Sequence, residues 1–118
     1  MKDLTIYHNP RCSKSRQTLQ IIKDHGIKPT VVEYLKTPLK KRELENISRL
    51  LNRRPKDFVR KSEVDYKENN IKNILENDVE LINEMTKYPK IIERPIVVYG
   101  EKAVIGRPPE NVSELLNF

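Results

Sequence analysis

Leu4-Thr5-Ile6-Tyr7-His8-Asn9-Pro10-Arg11-Cys12-Ser13-Lys14-Ser15-Arg16 holds the only cysteine of the 118-residue chain. Leu4-Thr5-Ile6-Tyr7 reads as a short strand. From Ser13 onward Leu19, Ile21 and Ile22 recur at helical spacing as far as Gly26, a residue suited to ending a helix. Cys12 therefore sits where a strand hands over to a helix N-terminus. There the unpaired backbone N–H groups and the positive end of the macrodipole favour an anion, and a thiolate is one. His8, Arg11, Lys14 and Arg16 bring four cation-capable groups within four residues of the sulfur. A thiol so placed loses its proton below its usual pKa of about 8.5. Free cysteines are often simply buried, but the polar, basic neighbours of Cys12 argue for a reactive one.

Working outward, Thr30-Val31-Val32-Glu33-Tyr34-Leu35 is rich in β-branched residues and reads as a second strand. Strand, helix and strand in this order predict two parallel neighbours. After Pro38, Leu44, Ile47, Leu50 and Leu51 fall on one face of a helix over about 39–52, and Pro55 starts a short helical piece carrying Phe58 and Val59. Residues 67–77 are polar with Ile71, Ile74 and Leu75 on one side, and Asp78 opens a helix that ends before Pro89. Ile96-Val97-Val98-Tyr99 and Lys102-Ala103-Val104-Ile105 read as a hairpin turning through Gly100. Pro95, at the head of its first strand, suits an edge strand or a cis bond. A helix with Val112, Leu115 and Leu116 on one face follows Pro108-Pro109. The predicted order is β-α-β, a helical insertion at about 39–88, then β-β-α: one α/β domain over residues 1–118 with a small mixed sheet.

Composition narrows the function. The charged fraction is 34% and the hydrophobic fraction 36%, with no apolar run of membrane-spanning length and no signal-peptide pattern, which places the expected protein in the cytoplasm without a membrane partner. A lone cysteine cannot close an intramolecular disulfide, so redox chemistry here needs a second thiol from outside. Residues 1–60 carry 15 Lys+Arg against 6 Asp+Glu, and residues 61–118 carry 8 against 11. A basic half can draw in a small oxyanion as readily as a nucleic acid. Basic residues interleaved with aromatics are absent, which argues against nucleic acid. One Cys and two separated His residues do not make a zinc site.

His8-Asn9-Pro10-Arg11-Cys12-Ser13-Lys14-Ser15-Arg16, Arg60, Glu93-Arg94-Pro95-Ile96-Val97-Val98 and Gly106-Arg107-Pro108 together resemble the glutaredoxin-dependent arsenate reductase family, including its branch of uncharacterised relatives. The resemblance covers nearly the whole chain and implies a thioredoxin-like fold with a helical insertion. It implies that Cys12 is the nucleophile, that Arg60, Arg94 and Arg107 hold the oxyanion, and that Arg94-Pro95 is a cis bond beside the sulfur. No bound cofactor is implied; glutathione is the co-substrate and glutaredoxin the partner that completes the cycle.

The residues themselves leave alternatives. Guanidinium forks suit tetrahedral oxyanions, yet Arg60 has several carboxylates nearby in sequence and reads also as a salt-bridge member, as Arg94 and Arg107 do less readily. His8 is either a residue that favours the thiolate or an ordinary strand-end histidine. Ser15 lies one helical turn beyond Cys12, where its hydroxyl can donate to the thiolate, or it is a plain first-turn serine. His25, at the far end of the helix, suits the C-terminal dipole and has no catalytic role.

Phosphatase-type reductases use Cys-x5-Arg, but the residue six after Cys12 is Thr18. A Cys-x-x-Cys pair is absent too, because the second position is Ser15. The expected reaction is attack of the Cys12 thiolate on arsenate, then release of arsenite by glutathione. Two other readings remain: a single-cysteine oxidoreductase acting on glutathione mixed disulfides with little arsenate activity, and a thioredoxin-fold regulator that binds RNA polymerase.

Overall fold

In chain order the elements are β1 (Leu4–Tyr7), α1 (Ser13–Asp24), β2 (Thr30–Val32), α2 (Lys41–Leu51), α3 (Val64–Glu68), α4 (Asp78–Lys87), β3 (Ile96–Tyr99), β4 (Lys102–Ile105) and α5 (Asn111–Leu116). Short 3-10 turns run over Pro55–Phe58, Ile71–Ile74 and Pro89–Ile91. The computed structural model describes residues 3–116. The chain divides into two compact units, one made of the segments up to Thr37 and from Arg94 onward, the other Pro38–Glu93. Among the described residues no helix is long and apolar enough to cross a membrane.

The first unit is a four-stranded mixed sheet in the order β2-β1-β3-β4. β1 pairs parallel with β2, Ile6 facing Val31, and antiparallel with β3, Tyr7 facing Ile96. The β3–β4 hairpin turns through Gly100 at φ 64, the positive φ that a two-residue hairpin loop requires. Period-two burial of Leu4 and Ile6 sends one face of β1 into a core with Ile22, Val97, Val112 and Leu115. Burying each such side chain is worth about 1.5–3 kcal/mol, which fixes α1 and α5 against the sheet. α1 stops where expected: Gly26 takes φ 75 and its N–H bonds the Lys23 carbonyl at 2.9 Å. His25 closes the same end by donating from Nδ1 to the Ile21 carbonyl at 2.9 Å. This is the thioredoxin-like α/β arrangement that the sequence implied.

One expectation needs correction and one alternative is decided. β2 ends at Val32 instead of reaching Leu35, because Lys36 and Thr37 turn back to bond the Glu33 carbonyl at 2.9 and 3.0 Å. Of the two readings of Pro95, an edge strand or a cis bond, the second holds, since β3 is an interior strand. Its head position instead goes with a cis Arg94–Pro95 bond, and Arg107–Pro108 is cis as well.

In the second unit α2 buries Leu44 and Ile47, and α4 buries Leu81, Ile82 and Met85. Asn77 caps α4 by accepting the Glu80 N–H at 3.1 Å. Residues 67–77, read as polar with Ile71, Ile74 and Leu75 on one side, divide at Asn70, whose φ of 51 separates the end of α3 from the Ile71–Ile74 turn.

Candidate active site

Cys12 is the N-cap residue of α1, with extended backbone at φ −94 and ψ 122. The loop before it is held rigidly. Cys12 N–H bonds the Asn9 carbonyl at 3.0 Å, Arg11 N–H bonds Asn9 Oδ1 at 3.0 Å, and Arg16 Nη1 donates to the Pro10 carbonyl at 2.9 Å. His8 N–H extends the parallel pairing by bonding the Val32 carbonyl at 2.8 Å. Asn9, which the sequence reading did not single out, is thus a structural pin of the loop; its place before Pro10, a turn-forming pair, was the available signal.

Two arginines from distant sequence reach the sulfur. Arg107 Nη2 lies 3.3 Å from Cys12 Sγ, and its Nε donates to the Arg94 carbonyl at 2.7 Å. The Arg94 guanidinium also favours the thiolate. Partial burial of the thiol opposes its ionisation. That effect is outweighed by the Ser15 N–H, the Arg94 guanidinium, the Arg107 charge and the Lys14 N–H, so the thiol pKa falls below its ordinary value. No side-chain cap hydrogen bond closes at this helix end; the N–H groups of Ser15 and Lys14 act on the sulfur through the field of the helix terminus.

His8 and Ser15 are brought together, but not as the sequence suggested. The Ser15 hydroxyl, expected on the thiolate, lies 2.6 Å from His8 Nδ1 and accepts the Asn9 N–H at 3.1 Å. Ser15 is fully buried, so its contribution to the sulfur is its backbone N–H. His8 was counted among the cations. Burial first, then the charges of Lys23 and Arg16, lower its pKa against the opposing pull of Glu33. A neutral imidazole therefore stands behind the loop.

The segment carrying Arg107 is positioned by residues to which the sequence reading assigned no such role, Gly106 and Asn111. A Cβ on Gly106 would meet Thr18 Oγ1 at 2.5 Å and Pro95 Cγ at 2.8 Å, so only glycine allows this approach of β4's end to α1. Gly106 N–H bonds the Pro95 carbonyl at 2.9 Å. Asn111 Nδ2 spends both its protons on the carbonyls of Ile105 and Arg107, at 3.2 and 3.1 Å.

Arg60 belongs to the second unit. Its Nη1 donates to Glu93 at 2.7 Å and its Nε to Glu63 at 3.2 Å, while Arg60 N–H bonds the Ile91 carbonyl at 2.6 Å. The salt-bridge alternative read from the nearby carboxylates describes these contacts. Among the described residues no group of three or more His, Cys, Asp or Glu is placed to hold a metal ion.

An activated thiol at a helix N-terminus with two guanidinium groups on it can attack a bound tetrahedral oxyanion or a disulfide. Known proteins similar in sequence and shape narrow the family. The uncharacterized protein YfgD of Escherichia coli K12 is 45% identical over 116 residues, spanning 98% of both chains. The arsenate reductase of Haemophilus influenzae is 41% identical over 112 residues, 94% of this chain and 97% of its own. The solved structure of arsenate reductase from Vibrio cholerae superposes with a TM-score of 0.90 at 42% identity, covering 95% of this chain and 96% of that one. Since the ArsC family pattern also matches residues 7–115, almost the full length, this chain belongs to the ArsC family.

Proposed function

We propose that the protein reduces arsenate to arsenite with glutathione and glutaredoxin as its reductants. The observation that carries this reading is the approach of Arg107 Nη2 to Cys12 Sγ at 3.3 Å beside the Arg94 guanidinium. The charges that hold the thiolate are those an oxyanion needs when it arrives. The arsenate reductases among its relatives, at 41% identity, supply the choice of arsenic. Arg94 and Arg107 bind arsenate, and the family resemblance gives Arg60 a share of that task. His8 and Ser15 hold the loop so that the Ser15 N–H stays on the sulfur.

The Cys12 thiolate attacks arsenic(V), forming an S–As bond while one oxygen leaves as water. A glutathione thiolate then attacks Cys12 Sγ, the S–As electron pair stays on arsenic, and arsenite departs as arsenic(III). The two sulfurs are left as a mixed disulfide, having supplied two electrons. With Cys12 the only cysteine, the resolving thiol is external, and glutaredoxin removes the glutathionyl group.

The test is arsenate-dependent NADPH oxidation coupled through glutathione, glutathione reductase and glutaredoxin. Turnover that needs Cys12, glutathione and glutaredoxin together is the expected result. A reactive Cys12 without arsenate turnover would transfer the same thiol chemistry to glutathione mixed disulfides.

A further inference from the structure

A cavity of about 220 Å3 opens between the loop His8–Arg11 and the turn that carries Glu33, Leu35 and Lys36. It lies past the carboxyl ends of the parallel strands β1 and β2, the side on which open α/β sheets bind their ligands. The sheet order β2-β1-β3-β4 sets it on the β2 side of the Cys12 loop. Arg94 precedes β3 and Arg107 follows β4, so both arginines come to Cys12 from the other side. The cavity's wall is mostly apolar, with Pro10 and Leu35 in it, and its charged groups are Arg11, Lys36 and Glu33. Lys36 Nζ and Glu33 Oε1 are 3.3 Å apart, and the Lys36 side chain is 78% exposed. At this volume it accommodates one end of a small ligand.

We propose that this cavity docks one end of the reducing thiol, a small zwitterionic thiol of the glutathione class, and aims its sulfur at Cys12 from the face opposite the oxyanion. The proposal rests on the external-thiol step above. Displacement at a divalent sulfur proceeds in line, with the entering sulfur opposite the departing group. An oxyanion on the Arg94–Arg107 side leaves the thiol the opposite approach, and the cavity, lined by Arg11 next to Cys12 in the chain, opens on the β2 side. The chemistry matches: the cations Arg11 and Lys36 suit the two carboxylates of glutathione, Glu33 suits its ammonium group, and the apolar wall suits its methylene backbone. In the step served, the new S–S bond forms as the S–As bond breaks, and arsenic receives the electron pair.

The experiment measures how fast Cys12 of the purified protein is glutathionylated by glutathione disulfide, compared with its reaction with uncharged 2-hydroxyethyl disulfide. Lys36→Glu reverses a charge of the cavity, Leu35→Trp fills it without changing charge, and Lys28→Glu is the charge-matched control. Lys36→Glu and Leu35→Trp are expected to slow the glutathione disulfide reaction about fivefold, leaving the uncharged disulfide and the Lys28→Glu control near wild type. Wild-type rates with glutathione disulfide in both cavity variants would overturn the proposal, as would an equal loss in Lys28→Glu. This readout needs no arsenate. Selective slowing without arsenate turnover by the wild type would keep the cavity and remove the arsenate reading; arsenate turnover without selective slowing would do the reverse.

Discussion

Arg107 Nη2 stands 3.3 Å from Cys12 Sγ across 95 residues of sequence, while its Nε donates to the Arg94 carbonyl. One guanidinium thus ties the end of β4 to the start of β3 and to the tip of α1. Replacing Arg107 by Ala is expected to raise the thiol pKa, followed by thiolate absorbance in the ultraviolet, and to weaken arsenate binding more than it lowers kcat. An unchanged pKa would mean that the helix terminus and Arg94 ionise the thiol without Arg107.

The depressed thiol pKa also makes stability depend on pH. A group whose folded pKa lies below its unfolded value of about 8.5 contributes stability that is present above that value and lost as pH falls through the folded pKa. The melting temperature of the wild type should therefore rise with pH across that interval relative to Cys12→Ser. Parallel curves would show that folding leaves the thiol pKa unaltered.

His8 titrates with the opposite charge and the same direction of effect. Its pKa lies below the usual 6.5, chiefly through burial, so the fold favours the neutral imidazole. The stability this gives is complete above 6.5 and is lost as pH falls from there through the folded pKa. An NMR titration of the ring should give His8 a midpoint below 6.5, and His8→Asn should flatten the acid side of the stability curve. A midpoint at or above 6.5 would contradict this.

Gly106→Ala should destabilise the protein by about 1–3 kcal/mol, because its methyl group enters space held by Thr18 and Pro95. Thr18→Ala removes two of the three nearest obstacles, so the double variant should lose less than the sum of the singles. Strict additivity in denaturant melts would show that the backbone has moved instead. Asn111→Asp keeps the volume but cannot donate to the Ile105 and Arg107 carbonyls; its expected signature is a raised thiol pKa with a small change in melting temperature.

Arg60→Ala leaves Glu63 and Glu93 without the guanidinium between them and should cost about 1–2 kcal/mol. Adding Glu93→Gln should restore part of that stability. A rise in the KM for arsenate that persists in the double variant would assign Arg60 to the oxyanion as well, whereas recovery of both quantities would leave it as an ion-pair residue alone.

Much of this was legible in the chain itself. The period-two run of β1, the helical spacing of α1 and Gly26 after it are local patterns, and local patterns decide local structure. The position of Cys12 at a helix N-terminus followed from them. What misled was also local: Thr30–Leu35 has uniform β propensity, but hydrogen bonds from Lys36 and Thr37 to Glu33 end the strand. Ser15 faces Cys12 on a helical wheel, yet its hydroxyl turned to His8, a residue on the neighbouring strand end.

By itself, then, the sequence determined the α/β order and the lone thiol at a helix start, because these depend on residue spacing and on counting cysteines. Only the tertiary structure decided that Arg94 and Arg107 meet the sulfur, that Gly106 and Asn111 hold Arg107 in place, and that burial lowers the pKa of His8. Those outcomes depend on which distant segments the sheet order brings together and on how deeply they bury each group, and neither is encoded in any single stretch of chain.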